Sequence, residues 1–339
     1  MSTPTFTTFD APGAGTGAGL GTLGLSINAA GAVTGWYADA TGLEHAFVRD
    51  PNGVITTFDA PGAAQGTAAL SINGAGTVAG HYYDANSVNH GFVRDSSGAI
   101  TTFDAPGAGA SAYLGTFLGS LNGDGTIAGY YLDAGSVSHG FVRAPSGVIT
   151  TFDASGAGTA PGQGTFAGSV GAAALITGYY TDANNVSHGF VRAAGGAITA
   201  FDTPDAGTGP GQGTLPQSIN AAGSIAGSYY DGSGVSHGFV RAPSGAMTTF
   251  DAPDAGNGGT FASSVDEAGF ITGYYSDASA VYNSYVRGGN NGGLVAFRAP
   301  GAGARPGEGT FSSAINDVGT MVGFYTDARS VFHVFLLTP

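Results

Sequence analysis

The phrase Val148-Ile149-Thr150-Thr151-Phe152-Asp153 returns along the whole chain every 45 to 49 residues, and no other feature constrains the fold as strongly. Its Phe stands at Phe9, Phe58, Phe103, Phe152, Phe201, Phe250 and Phe297, which makes seven copies. Two further phrases travel with it, Tyr179-Tyr180-Thr181-Asp182 and Ser187-His188-Gly189-Phe190-Val191-Arg192. A period of this size marks an array of supersecondary units that bury surface against one another. It overrides the two-domain prior set by a length of 339 residues.

Residues 164 to 202 serve as the type unit. Gly164 to Val170, Leu175 to Tyr180, His188 to Arg192 and Ala197 to Asp202 read as short strands. Turn signals separate them at Gly171-Ala172-Ala173, Asp182-Ala183-Asn184-Asn185 and Ala194-Gly195-Gly196. Nothing offers an apolar helical stripe of ten or more residues. Four short strands per unit, repeated radially, are the pattern of a propeller blade. The expected fold is therefore all-β: a single seven-bladed β-propeller of four-stranded blades over residues 1–339. The chain opens on a fourth-strand phrase, Thr5 to Asp10, and ends on a third-strand phrase, Val331 to Leu337. Residues 4–10 are thus expected to complete the blade formed by 309–337, which closes a ring. A solenoid would leave both ends as raw sheet edges.

Charge and composition exclude several partners. The formal charge is -14, with no Lys. Phosphate backbones and anionic membrane surfaces need clustered cations, so nucleic acid and membrane binding are not expected. No apolar run is long enough for a transmembrane helix. No Cys is present, which removes disulfide and thiolate chemistry. Repeat sequence begins by Thr5, so no signal peptide is expected ahead of it in this chain. A monomer is the expected form, with no cofactor. Ca2+ at an acidic rim stays open, although no loop has the usual ligand spacing.

His45-Ala46-Phe47, with the His-Gly-Phe versions at His90, His139, His188 and His237, resembles the bacterial extracellular HAF-repeat family. Ser26-Ile27-Asn28, Ser71-Ile72-Asn73 and the Gly-Tyr-Tyr of the second strand match it too, and the resemblance covers essentially the whole chain. It implies a secreted or surface protein and no particular activity. A cytoplasmic location is left open.

Residues kept in every unit are expected to serve the fold. The turn Asp recurs at Asp39, Asp84, Asp133, Asp182, Asp231, Asp277 and Asp327, and His follows six residues later in six units, with Asn283 in the other. An Asx side chain accepting backbone N–H bonds explains this turn better than seven metal sites. Six Arg close the third strand (Arg49, Arg94, Arg143, Arg192, Arg241 and Arg287) and read as solvated edge charges.

Function should lie where one unit departs from the rest. Arg298, Arg305 and Arg329 fall outside the strand-end set, within 32 residues of one another. Glu308 stands where other units carry Gln163 or Gln212, and Glu44 precedes His45. Tyr282 replaces the usual Ser, Trp36 is the single Trp, and His81 is a lone substitution on a second strand. Arg forks suit carboxylates and sulfates, aromatic faces suit sugar rings, and paired carboxylates suit glycosidic chemistry. The expectation is a carbohydrate-binding or scaffold module, with Arg298, Arg305, Arg329, Trp36 and His81 as ligand-binding residues. The alternative is a polysaccharide lyase or glycoside hydrolase acting on an acidic glycan over units six, seven and one. Glu308, Glu44 and Tyr282 are its catalytic candidates. Drift of terminal repeats, or a purely structural role, is the plain reading of the same departures.

Overall fold

The computed structural model describes residues 4–289 and 292–339. Among these residues 28 strands join into sheets of 12 and 16 strands. In the fourth unit the strands are Gly164–Val170, Ile176–Thr181, Ser187–Arg192 and Ile198–Phe201. All neighbours within the unit are antiparallel, with pairs Thr165↔Tyr180, Tyr180↔His188 and Phe190↔Ala200. Among the described residues five junctions between successive units carry a single parallel pair, as at Ser138↔Gly164 and Ser187↔Gly213. The last unit meets the first through Gly21↔Phe332. Thr5–Phe9 runs antiparallel to Phe332–Thr338, from Thr5↔Thr338 to Phe9↔Val334. The architecture is all-β and propeller-like.

The repeat phrases fold this way because each supplies one inter-unit contact. Phe190 and Ile176 are fully buried, and they pack with Ala128 of the preceding unit, its Val142 and its Phe152. Fully burying such side chains is worth about 1.5–3 kcal/mol each, so a unit depends on its neighbours for its core. The Ser-Ile-Asn phrase adds two polar rails. Ser120 Oγ accepts the Val170 N–H at 2.8 Å, and Ser169 Oγ accepts the Ile219 N–H at 3.2 Å. Asn28 Nδ2 donates to Asn73 O, Asn73 to Asn122 O, and Asn122 to Gly171 O, at 3.0, 3.2 and 2.9 Å. Asn316 Nδ2 donates to Asn28 O at 2.9 Å, which links the last unit to the first. These amides are buried, and each bond satisfies groups that would otherwise be costly to enclose.

The six strand-end Arg side chains are not free edge charges. Each guanidinium lies over the Phe of the preceding unit's outer strand, at 4.9 Å for Arg49 on Phe9 and 4.7 Å for Arg192 on Phe152. Arg192 and Arg287 are buried. Desolvated cation–π contacts reach about 2 kcal/mol. The sequence marked these residues as charges, but only neighbouring units reveal the ring beneath them.

The turn aspartates act as Asx caps. Asp182 Oδ1 accepts N–H bonds from Asn184 and Val186 at 2.8 and 2.9 Å. The following His turns mainly to the outer strand: His188 Nδ1 lies 2.9 Å from Asp202, while its Nε2 is 3.7 Å from Asp182. The Thr41 hydroxyl holds Asp39 at about 2, and the Ser233 hydroxyl does the same for Asp231. Asp84 is lowered chiefly by the Val88 N–H. A carboxyl depressed by folding contributes stability above its unfolded value near 3.9, and the contribution disappears as pH falls towards the folded value. Melting temperature should therefore hold steady down to about pH 4 and fall between about pH 4 and 2. In Asp39→Ala the fall should be shallower. An unchanged melting temperature at pH 2 would remove the aspartates from the stability of these turns.

Candidate functional site

The structure brings Arg305, Glu308 and Tyr282 together. Arg305 and Glu308 line a shallow depression of about 400 Å³ with Phe311, Ser330 and Phe332. The Tyr282 ring packs tilted against Phe311 at 4.6 Å, and the Tyr282 N–H donates to Glu308 O. The Glu308 carboxylate itself is buried, and Oε2 accepts the Arg305 N–H at 2.9 Å. Gln163 and Gln212 do the same for Ala160 and Gly209. A Gln can also donate, and Gln212 Nε2 reaches Gly232 O at 3.1 Å. Glutamate lacks that donor, and Arg305 supplies it by donating from Nη1 to Ala328 O at 3.2 Å. Glu308 and Arg305 thus replace one Gln between them and hold the loop 299–308 in place.

The other cations also have local partners. Arg329 Nε lies 3.2 Å from Asp327 in its own turn. Arg298 donates from Nη2 to Gly303 O. It stands where other units carry the Asp that meets His, and Asn283 stands in place of that His, donating to Asp277 at 3.3 Å. The His–outer-strand Asp pair of the other units is thus replaced here by two separate bonds, each to a residue of its own neighbourhood.

Glu44, His81 and Trp36 do not join this depression. The Glu44 side chain lies against Gly66, and burial raises its carboxyl. His81 packs edge-on to Tyr83 and Phe117 at 5.9 and 6.0 Å. Burial lowers the His81 imidazole to about 4, so it is neutral at pH 7, and its enclosed Nδ1 has no hydrogen-bond partner among the described residues. Trp36 faces Leu23 across the first unit. Among the described residues no group of three or more His, Cys, Asp and Glu side chains is placed to hold a metal ion.

A second pocket was missed in the sequence. Trp36, His81, Tyr130, Tyr179, Tyr274 and Phe324 occupy one position of the second strand, each opposite an inner-strand residue such as Phe117 or Phe166. Rings at these two positions stack within a unit, as in Phe117–Tyr130 at 5.1 Å, and meet edge-on between units, as in Tyr130–Phe166 at 5.1 Å. In the fifth unit the position is Ser228. The missing ring leaves a cavity of about 420 Å³ walled by Tyr230, Phe261 and Tyr274, with Gln217, Ser263 and Ser313 at its polar side. Ser228 Oγ accepts the Ala262 N–H at 3.0 Å. Among the described residues none that lines the cavity is charged. The available signal was Pro216-Gln217 beside Ser228, departures confined to this unit.

No family model and no curated protein matches the sequence. Solved structures do. The chain is similar to virginiamycin B lyase from Staphylococcus aureus at 14% identity, with 99% of this chain and 100% of that chain covered and a TM-score of 0.61. It is also similar to the BP39L lectin from Burkholderia pseudomallei at 10% identity, covering 90% and 91%, with a TM-score of 0.59. The chain shares their fold. At such identities the likeness carries the arrangement of strands and no chemistry.

Proposed function

We propose that this chain is a secreted or cell-surface β-propeller of seven four-stranded blades that binds carbohydrate, with a neutral sugar unit in the Ser228 cavity. The observation that carries this reading is the cavity itself. It combines aromatic walls with an amide and hydroxyls at one side, and its volume lies in the range of ligand sites. The similar structures include a protein named as a lectin, which is compatible with binding on this fold. An acidic glycan clamped by Arg298, Arg305 and Arg329 is less well supported, since all three guanidinia already bond to loop carbonyls or Asp327.

The test is a thermal-shift panel of neutral, uronate and sulfated oligosaccharides. A ligand at 100 times its Kd stabilises by about 2.7 kcal/mol. The expected shift comes from neutral sugars and disappears in Ser228→Tyr, which restores the ring present in units three and four. Glu308→Gln should leave the shift intact. If Glu308→Gln instead abolishes turnover of an acidic glycan while sparing its binding, the lyase or hydrolase reading replaces this one. A flat panel, or a shift that survives Ser228→Tyr, removes the cavity as the site.

A further inference from the structure

The interface between the sixth and seventh units differs from the rest through four substitutions on four separate elements. Leu337 stands where Arg49, Arg94, Arg143, Arg192, Arg241 and Arg287 stand. Val295 takes the place of a Thr found in the other six outer strands, Thr7 and Thr56 among them. Phe270 occupies a turn position held elsewhere by Ala32, Thr77, Thr126, Leu175, Ser224 and Thr320, and Val318 one held by Ala or Asp124. All four line one groove of about 570 Å³, whose surface is overwhelmingly apolar. Val295 is 63% exposed, Val318 66% and Phe270 43%, so three large apolar side chains face solvent around it. Behind them Phe6, Phe297 and Phe335 form a ring cluster with centroids 6.0 to 6.1 Å apart. Drift in one repeat scatters changes, whereas these converge on one space and each adds apolar surface or removes a charge.

The charged residues that line the same groove are of one sign. Asp266 and Asp317 are among its lining residues, and among the described residues none of the lining side chains is basic. Asp266 is 5% exposed and accepts the Phe270 N–H at 2.8 Å. Asp317 is exposed and accepts the Glu267 N–H at 3.3 Å. Burial raises the Asp266 carboxyl, and the neighbouring Asp317 charge adds to the effect. The substitution that opened the groove also removed the cation that would stand there, as Arg287 and Arg241 do over Phe250 and Phe201.

We propose that this groove binds a small apolar ligand carrying one positive charge, with its hydrocarbon or aryl part along Phe270, Val295, Val318 and Leu337 and its ammonium at Asp266 and Asp317. The volume suits a ligand of drug size, and apolar burial drives its entry. The carboxylates select the charge. This site is separate from the Ser228 cavity and does not depend on the carbohydrate reading.

Three matched probes test it by calorimetric titration of the full chain: 4-phenylbutylamine, 4-phenylbutanol and 4-phenylbutyrate. The amine should bind about tenfold or more tightly than the alcohol, and the carboxylate most weakly. Asp317→Asn should bring the amine down towards the alcohol and leave the alcohol unchanged. Leu337→Arg restores the residue of the other units and should abolish binding of the amine and the alcohol. If that variant does not fold, Val295→Thr with Val318→Ala, both at exposed positions, should weaken the amine and the alcohol together. Equal binding of amine and alcohol, an amine affinity indifferent to Asp317→Asn, or no binding of any probe would each overturn the proposal.

Discussion

Removal of residues 1–10 is expected to lower stability by about 5 kcal/mol or more, which approaches the whole stability of a typical domain. The strand Thr5–Phe9 forms five pairs with Phe332–Thr338. Its side chains also reach three units. Phe6 packs on Phe297 and Phe335, at 6.0 and 6.1 Å. Phe9 meets the edge of Phe47 at 6.1 Å and lies under the Arg49 guanidinium. Asp10 lies 2.9 Å from His333 Nδ1. Truncating one large buried aromatic costs about 3–5 kcal/mol. Phe6 and Phe9 are each partly buried, but losing both also strips a strand and leaves its partner as a raw edge. Urea unfolding of the truncated chain reads the loss. A permuted chain, with residues 4–10 moved by a short linker to follow Pro339, should recover most of it, because the strand would reach the same partner. Truncation that shifts the melting point by only a degree or two would mean that this strand does not hold the ends together.

Gly164→Ala should cost about 3 kcal/mol or more, although it adds one methyl group. Gly164 opens an inner strand with φ +116, a region L-residues rarely adopt, and a Cβ there would meet Ser138 O of the preceding unit at 2.1 Å. That oxygen belongs to the single parallel pair joining the two units, so neither backbone can move without losing the contact. Gly168, four residues along the same strand, is the control. A Cβ there meets only Thr177 O, at 3.9 Å, and Gly168→Ala should change stability by less than about 1 kcal/mol. Denaturant midpoints at constant m-value compare the two. Equal effects would show that the approach between units is not tight at Gly164.

Much of the fold could be read from the repeat, because its determinants are local or lie one unit away. The turn chemistry of Asp182 and the four strands per repeat followed from neighbours in sequence. Strand limits moved by a residue, as in the second strand of the type unit, because side-chain pattern does not report where backbone pairing ends.

The candidate site was legible only as a set of departures, and their meaning was not. Glu308 looked like an acid or base, and Arg305 like a clamp. Together they make the two bonds that one Gln makes elsewhere, and that equivalence requires knowing that residue 305 reaches Ala328 O.

The sequence by itself determined an all-β array of four-stranded units, since every repeat states the same hydrogen-bonding and burial pattern. Tertiary structure alone decided that Ser228 empties a ring position facing the next unit. It alone brought Phe270, Val295, Val318 and Leu337 around one groove. The physical reason is that strand alternation is a property of consecutive residues, whereas a cavity is a property of surfaces from different elements, and their adjacency appears only once the units have packed.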